Sequence, residues 1–234
     1  YAEPIFLVTE EIPPYAYKLK GKPAGVSVEI IAALFQEAGI PYKISIFPWK
    51  RAIETAKSKQ ACIFPIQRSQ EREALFNWVS PVLITQTGFY TAPTSKVNIR
   101  TLDDVKNYSI GTYRGSAVED YLTHQGFNVI STSTDTVNIR KLSSNRIDVW
   151  ASDTLTASYL ADKQKIEINE ALVYFTTLRA LACNLTVPED QVKKLQQALQ
   201  TINHKGTVDS ILKKYKSCLL KTTDAANKTK KEKT

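Results

Sequence analysis

The sequence contains no methionine, two histidines and three cysteines, and it has no apolar run approaching the length of a membrane span. A bilayer crossing takes about 20 consecutive apolar residues, so no transmembrane helix is expected. His124 and His204, with cysteines at 62, 183 and 218, lack the paired spacing of zinc sites, and neither a metal centre nor a cofactor is expected. No histidine falls near the residues singled out below and no nucleophile has a partner base, which disfavours an enzyme. Three cysteines cannot all pair within one chain. They read as buried small apolar residues in preference to a disulfide, although a bridge would favour an exported protein. With Tyr at position 1, the lack of Met is read as a trimmed or processed amino terminus, a removed export signal being one explanation.

What is present is ordinary for a globular chain: 234 residues, 43% hydrophobic and 23% charged, enough for one large domain or two small ones. Part of the formal charge of +8 sits in the lysine-rich stretch Lys221 to Thr234. That composition reads as a solvated, disordered end rather than a nucleic-acid arm, and no recognition module supports the latter.

Taken in order, Ile5 to Thr9 reads as a buried strand that ends at Glu10 and the stiff segment IPPYAY, where two prolines forbid helix and central strand. Lys18 to Gly25 looks like a turn. Apolar residues at Val28, Ile31, Ala32, Leu34 and Phe35 predict a helix stopping at Gly39. Tyr42 to Phe47 alternates as a strand, Pro48 opens a helix to about Ser58, and Ala61 to Ile66 is a further strand. This β, α, β, α, β order predicts a parallel, doubly wound half-sheet whose ligands lie beyond the carboxyl ends of its strands.

A second series follows: a short helix from Leu102, a strand at Tyr108 to Thr112, the turn YRGS opening a helix, a strand at Phe127 to Ile130, a helix at Thr134 to Leu142, a strand at Ile147 to Trp150, and a helix from Thr154. Two long extended runs, 82–91 and 174–185, bracket it, which suggests one lobe inserted into another with a two-strand hinge. Helices opened by Pro188 and by Gly206 and Thr207 close the pattern.

The segment Phe64 to Pro81, FPIQRSQEREALFNWVSP, is the centre of this reading. It is a strand end, a polar turn, and a helical start carrying Arg72, a placement suited to gripping a carboxylate. The plainer alternative for Arg72 is an ion pair with Glu71 or Glu73. Asp153 reads equally as the N-cap of the helix from Thr154. Arg51 and Arg68 read as surface or structural residues. The Gly115–Ser116 turn offers backbone N–H groups of the kind that bind anions.

With PPY and Gly25, SQEREALFNWVSP, YRGSAVEDYL, NRIDVWASD and GTVDSILKKY in this order, the chain resembles the family 3 extracellular solute-binding proteins over residues 4 to 217. These are the amino-acid-type periplasmic binding proteins of ABC importers. The resemblance implies a type II periplasmic binding fold: two doubly wound α/β lobes joined by a two-strand hinge, with a ligand cleft between them. Lobe 1 is then 1–86 and 182–221, lobe 2 is 91–177, the hinge strands are 87–90 and 178–181, and 222–234 is a disordered basic tail.

By the same resemblance Arg72 holds a ligand α-carboxylate, Asp153 receives the α-ammonium, and Trp49 packs against the ligand side chain. Glu10 falls near an acid used for ligand side chains. Tyr113 and Ser116 form the second-lobe turn, where the backbone also reaches the carboxylate. Ile12 stands where an aromatic lid is common, leaving Trp49 or Tyr15 to supply a stacking face. Pro65 and Gln67 replace small donor-rich residues, and Pro65 has no N–H to offer.

The expectation is therefore a monomeric, exported, extracytoplasmic or periplasmic receptor that captures a small zwitterion, an amino acid or derivative, and delivers it to the membrane permease of an ABC importer without binding nucleic acid. A sensory ligand-binding domain and a dehydratase-like enzyme on the same scaffold are the alternatives.

Overall fold

The structure is a computed structural model describing residues 3–215. The basic tail and Cys218 lie outside the described residues. Within them the chain divides into two compact units, 3–84 with 178–215, and 85–177.

In the first unit, β1 (Ile5–Thr9) lies between β4 (Tyr42–Ile46) and β5 (Ala61–Gln67), parallel to both. Helices α1 (Val26–Ala38) and α2 (Trp49–Ser58) make the crossovers. The predicted turn at Lys18 to Gly25 is a small hairpin of β2 (Tyr17–Leu19) and β3 (Lys22–Ala24). Gly25 follows it with φ 122°, and a Cβ there would stand 2.4 Å from the Tyr15 carbonyl oxygen, so glycine fixes how closely the hairpin and the IPPYAY loop approach. Val8, Ala52, Ala56, Ile63, Ile66, Phe76 and Ala182 form a core on one face of these strands.

The extended runs are longer than the sequence suggests: β6 is Asn77–Thr91 and β10 is Asn169–Cys183, and each contributes residues to both units. β10 pairs antiparallel with β5, Cys183 opposite Cys62 and Arg179 opposite Gln67. Between Ala182↔Ile63 and Ala180↔Ile66, two residues of β5, Phe64 and Pro65, face only Leu181. A proline cannot donate to a ladder, and the register slips where it sits.

The reading of the cysteines is corrected here. Cys62 and Cys183 are bonded to each other, 121 residues apart in sequence, and both are fully buried. The antiparallel register brings them face to face, a juxtaposition that their linear spacing does not reveal. The first unit is completed by α6 (Glu189–His204) and a helix at 207–215.

In the second unit β7 (Ile110–Tyr113) runs parallel to β8 (Val129–Thr132) and β9 (Val149–Asp153), and the end of β6 pairs antiparallel with β9. Helices α3 (Ala117–His124), α4 (Asp135–Ser143) and α5 (Thr154–Gln164) are each opened by a side-chain cap, from Ser116, Thr134 and Asp153 respectively. The predicted strand at Phe127 to Ile130 begins two residues later, because Gly126 turns with φ 77° and Phe127 drops into the core with Phe89, Val105, Ile110 and Leu122. Among the described residues no helix is long and apolar enough to cross a membrane, and no group of three or more His, Cys, Asp or Glu could hold a metal ion.

Candidate functional site

In the first unit the candidate residues stand at the carboxyl ends of β1 and β5 and at the start of α2. β5 ends at Gln67, and a 3₁₀ turn (Gln70–Leu75) carries Arg72. Of the two acids beside Arg72, Glu73 has its partner on Arg68. Glu73 is taken by Arg68 in a two-pronged pair, Nε to Oε2 at 2.8 Å and Nη2 to Oε1 at 2.5 Å, and its backbone carbonyl accepts the Trp78 indole N–H at 3.0 Å. The pairing with Arg68 holds the Glu73 carboxyl below its ordinary pKa and the Arg68 guanidinium above its own. Arg68 is thus the structural arginine of this turn.

Arg72 turns the other way. Its Nη1 donates to the Gln67 carbonyl at 3.3 Å, and its guanidinium carbon lies 5.5 Å from the centroid of the Trp49 ring. A guanidinium is a flat fork whose geometry fits a carboxylate. Trp49 is the first residue of α2, half-buried, with its ring packed on the Val8–Ile63 core. Arg51, two residues further on, is exposed and rests over Phe47 at 4.3 Å, which gives it a packing role.

Tyr15 and Glu10 are both buried. The Tyr15 ring carries a guanidinium that sequence reasoning missed: Arg179, 5% exposed, lies with its central carbon 4.3 Å from the ring centroid. Its signal was present. Arg179 is the sole charged residue in the extended run YFTTLRALACNL, and an isolated charge in an apolar strand marks either an edge or a site.

In the second unit Asp153 ends β9, opposite Thr87, and is 7% exposed. Its Oδ1 accepts the N–H groups of Leu155 at 3.0 Å and Thr156 at 3.2 Å, so the capping role is real. Tyr90 lies close by. Its hydroxyl donates to Glu170 Oε2 at 3.3 Å, and burial, then the charges of Glu170 and Asp153, push its pKa well above the ordinary phenol value. It stays a neutral hydrogen-bonding group at any physiological pH.

At the turn after β7, Tyr113 accepts the Ser116 N–H on its carbonyl at 3.2 Å, and Ser116 Oγ caps α3 by accepting the Glu119 N–H at 3.1 Å. Glu119 reaches back to accept from the Gly115 N–H and the Ser131 hydroxyl. The sequence Ser116-Ala-Val-Glu119 has the capping-box pattern, with the Glu119 carboxylate bonding back to the N–H of Gly115, one residue before the cap, rather than to that of Ser116. Two donors expected to face a ligand carboxylate, those of Gly115 and Ser116, are therefore engaged by the protein's own oxygens.

A parallel α/β unit interrupted by a second one, with two long strands running from one unit to the other, is the architecture of the type II periplasmic binding proteins. The chain belongs to the bacterial extracellular solute-binding proteins, family 3, whose model matches residues 5–217. Among curated proteins it is 23% identical over 208 residues to the L-cystine-binding protein TcyJ of Escherichia coli, covering 87% of this chain and 78% of that one. Two solved structures show the shared fold. A histidine kinase sensor domain with similarity to periplasmic binding proteins has a TM-score of 0.84 at 18% identity, covering 91% of this chain and 95% of that one. The arginine-, lysine-, histidine-binding protein ArtJ from Geobacillus stearothermophilus has a TM-score of 0.79 at 17% identity, with the same coverage of 91% and 95%.

Proposed function

We propose that this chain is an extracytoplasmic solute receptor that captures an amino acid or a related zwitterion by hinge closure and delivers it to the permease of an ABC importer. The observation that carries the reading is the family match over residues 5–217. The arrangement of side chains supports it. Arg72, beside the Trp49 ring, takes the α-carboxylate; Asp153 takes the α-ammonium; Trp49 gives the ligand side chain an apolar face. Binding energy comes from charged pairs desolvated on closure, and closure is the signal that the membrane partner reads. The family is one of solute-binding proteins, which supports recognition of a solute as the activity.

A second reading has its own support. The likeness to a histidine kinase sensor domain fits a receptor whose closed state is read by a signalling partner instead of a permease. The first half of the mechanism, capture by Arg72 and Asp153, is common to both.

Thermal unfolding across the standard amino acids and small carboxylates tests the capture step. A ligand at 100 times its Kd stabilises the protein by about 2.7 kcal/mol. Arg72→Ala is expected to weaken that ligand by about 10- to 100-fold, the worth of a charged hydrogen-bonding partner. Unchanged affinity in Arg72→Ala would sink the assignment, and turnover of the bound compound would move the protein to the enzyme class.

A further inference from the structure

The β2–β3 hairpin of the first unit takes no part in the site described above, and its composition is unusual. Leu19, in β2, is 56% exposed, and of the seven exposed large apolar side chains among the described residues it alone has a lysine within three positions in the chain. It has three of them, Lys18, Lys20 and Lys22. Residues 18–22 are all exposed, and the hairpin pairs Lys18 with Pro23 and Leu19 with Lys22. Among the described residues none of these lysines has an ion-pair partner, and residues 12–28 contain no acid. Glu29, the first acid beyond, is taken by Lys214 and Tyr215.

The tip itself is built against its own backbone preference. Lys20 and Gly21 form the turn with φ 50° and 78°, a left-handed pair for which asparagine followed by glycine is favoured and in which lysine is strained. The turn geometry gives no reason for a lysine at position 20, whereas a charge needed at the tip does. The base of the hairpin is fixed. The close approach of Gly25 to the Tyr15 carbonyl leaves no room for a Cβ, and the Tyr215 hydroxyl accepts the Gly25 N–H while donating to Glu29 at 2.7 Å. The apolar tip and its three charges are thus held out on an anchored support.

We propose that the tip of this hairpin is a membrane-surface contact, in which Leu19 enters the headgroup region of an anionic bilayer while Lys18, Lys20 and Lys22 meet the lipid phosphates. Two features name the partner. Positive charge free of neighbouring acids is complementary to an anionic surface. An exposed aliphatic side chain among lysines gains most where an apolar layer adjoins a charged one, as at a bilayer interface. A nucleic-acid strand would call for an aromatic ring on which bases stack, and residues 18–22 hold none. With one apolar anchor and three charges the contact is weak and reversible. It does not depend on which solute the receptor binds.

The test is sedimentation of the full chain with lipid vesicles. Binding is expected to vesicles of mixed phosphatidylglycerol and phosphatidylcholine, not to phosphatidylcholine alone, and is expected to weaken as salt is raised. Lys18→Gln, Lys20→Gln and Lys22→Gln should each weaken it about 5-fold and together about 100-fold. Leu19→Asn should weaken it about 10-fold. The control set Lys106→Gln, Lys163→Gln and Lys193→Gln removes the same charge elsewhere and should bind as the wild type. Lys20→Asn relieves the strained turn, so it should melt no lower than the wild type while binding vesicles less, a split that a structural role for Lys20 would not produce. Absence of binding to the phosphatidylglycerol vesicles overturns the proposal, as does equal weakening by the control set or undiminished binding by the hairpin variants. Polyphosphate bound as tightly as the vesicles, with Leu19→Asn unaffected, would make the tip a general polyanion patch and overturn the lipid assignment.

Discussion

Asp153 caps a helix, and substitution can separate that job from the ligand contact proposed for it. In the structure its Oδ1 caps α5 through the N–H groups of Leu155 and Thr156, at 3.0 and 3.2 Å. In the proposed function its negative charge also receives the ligand ammonium. Asparagine caps a helix about as well as aspartate, and alanine does not. Asp153→Asn should therefore keep stability to within about 0.5 kcal/mol, while Asp153→Ala loses about 1 kcal/mol, with an upper value near 2 for a buried cap. For a chain of this size 1 kcal/mol moves the melting temperature by about 2–4 °C. Affinity should not follow that split. Both variants remove the charge that faces the ammonium, and both should weaken ligand by about 10- to 100-fold. Thermal unfolding without ligand and calorimetry with it measure the two effects on the same samples. If Asp153→Asn binds as well as the wild type, the residue is a cap alone and the ammonium is held elsewhere. If Asp153→Asn melts as low as Asp153→Ala, the capping argument fails.

Two further outcomes are expected. The 121-residue separation of Cys62 and Cys183 corresponds to a chain-entropy stabilisation of about 5 kcal/mol, and thiol titration in denaturant should find one reactive thiol among the three cysteines before reduction and three after it; three before reduction would contradict the bridge. Burial pushes the Glu29 pKa up, but hydrogen bonds from Tyr215 at 2.7 Å and Lys214 at 2.9 Å outweigh it, so the folded value lies below the ordinary 4.5. The resulting stability is present above 4.5 and is lost as pH falls through the lower folded value. Glu29→Gln should lower the urea midpoint near pH 7 by less than about 1 kcal/mol equivalent and converge with the wild type in acid; a gap that widens in acid would reverse the sign argued here.

Local signals made much of this fold readable. The α1 stripe of Val28, Ile31, Leu34 and Phe35 is buried as its period demands, and Gly39 ends the helix in the left-handed conformation. Ser116, followed three residues later by Glu119, is a capping-box signature that could have been taken from the sequence, and it would have warned that the turn's donors are engaged. What stayed hidden depends on pairing at long range. The Cys62–Cys183 bridge and the position of Arg179 opposite Gln67 both follow from the antiparallel register of β10 on β5, and composition and periodicity carry no information about which strands will neighbour each other. The partner of Glu73 was likewise invisible: Arg68 and Arg72 both lie within five residues of it, and only the path of the 3₁₀ turn assigns that acid to Arg68.

The residues singled out for ligand contact share a feature that bears on how tightly such a site can bind. Arg72 is held on the Gln67 carbonyl, Asp153 on two N–H groups of α5, and Ser116 on the first turn of α3. Each anchor belongs to the same unit as the side chain it holds. Long charged side chains lose about 2 kcal/mol of rotamer freedom when fixed, and here part of that loss falls on folding rather than on binding. The same economy applies to Asp153, where the observed cap and the proposed ligand contact share one carboxylate. A strand end that opens a helix already orients a carboxylate against backbone donors, so a site built there inherits a fixed anion without a second element to support it.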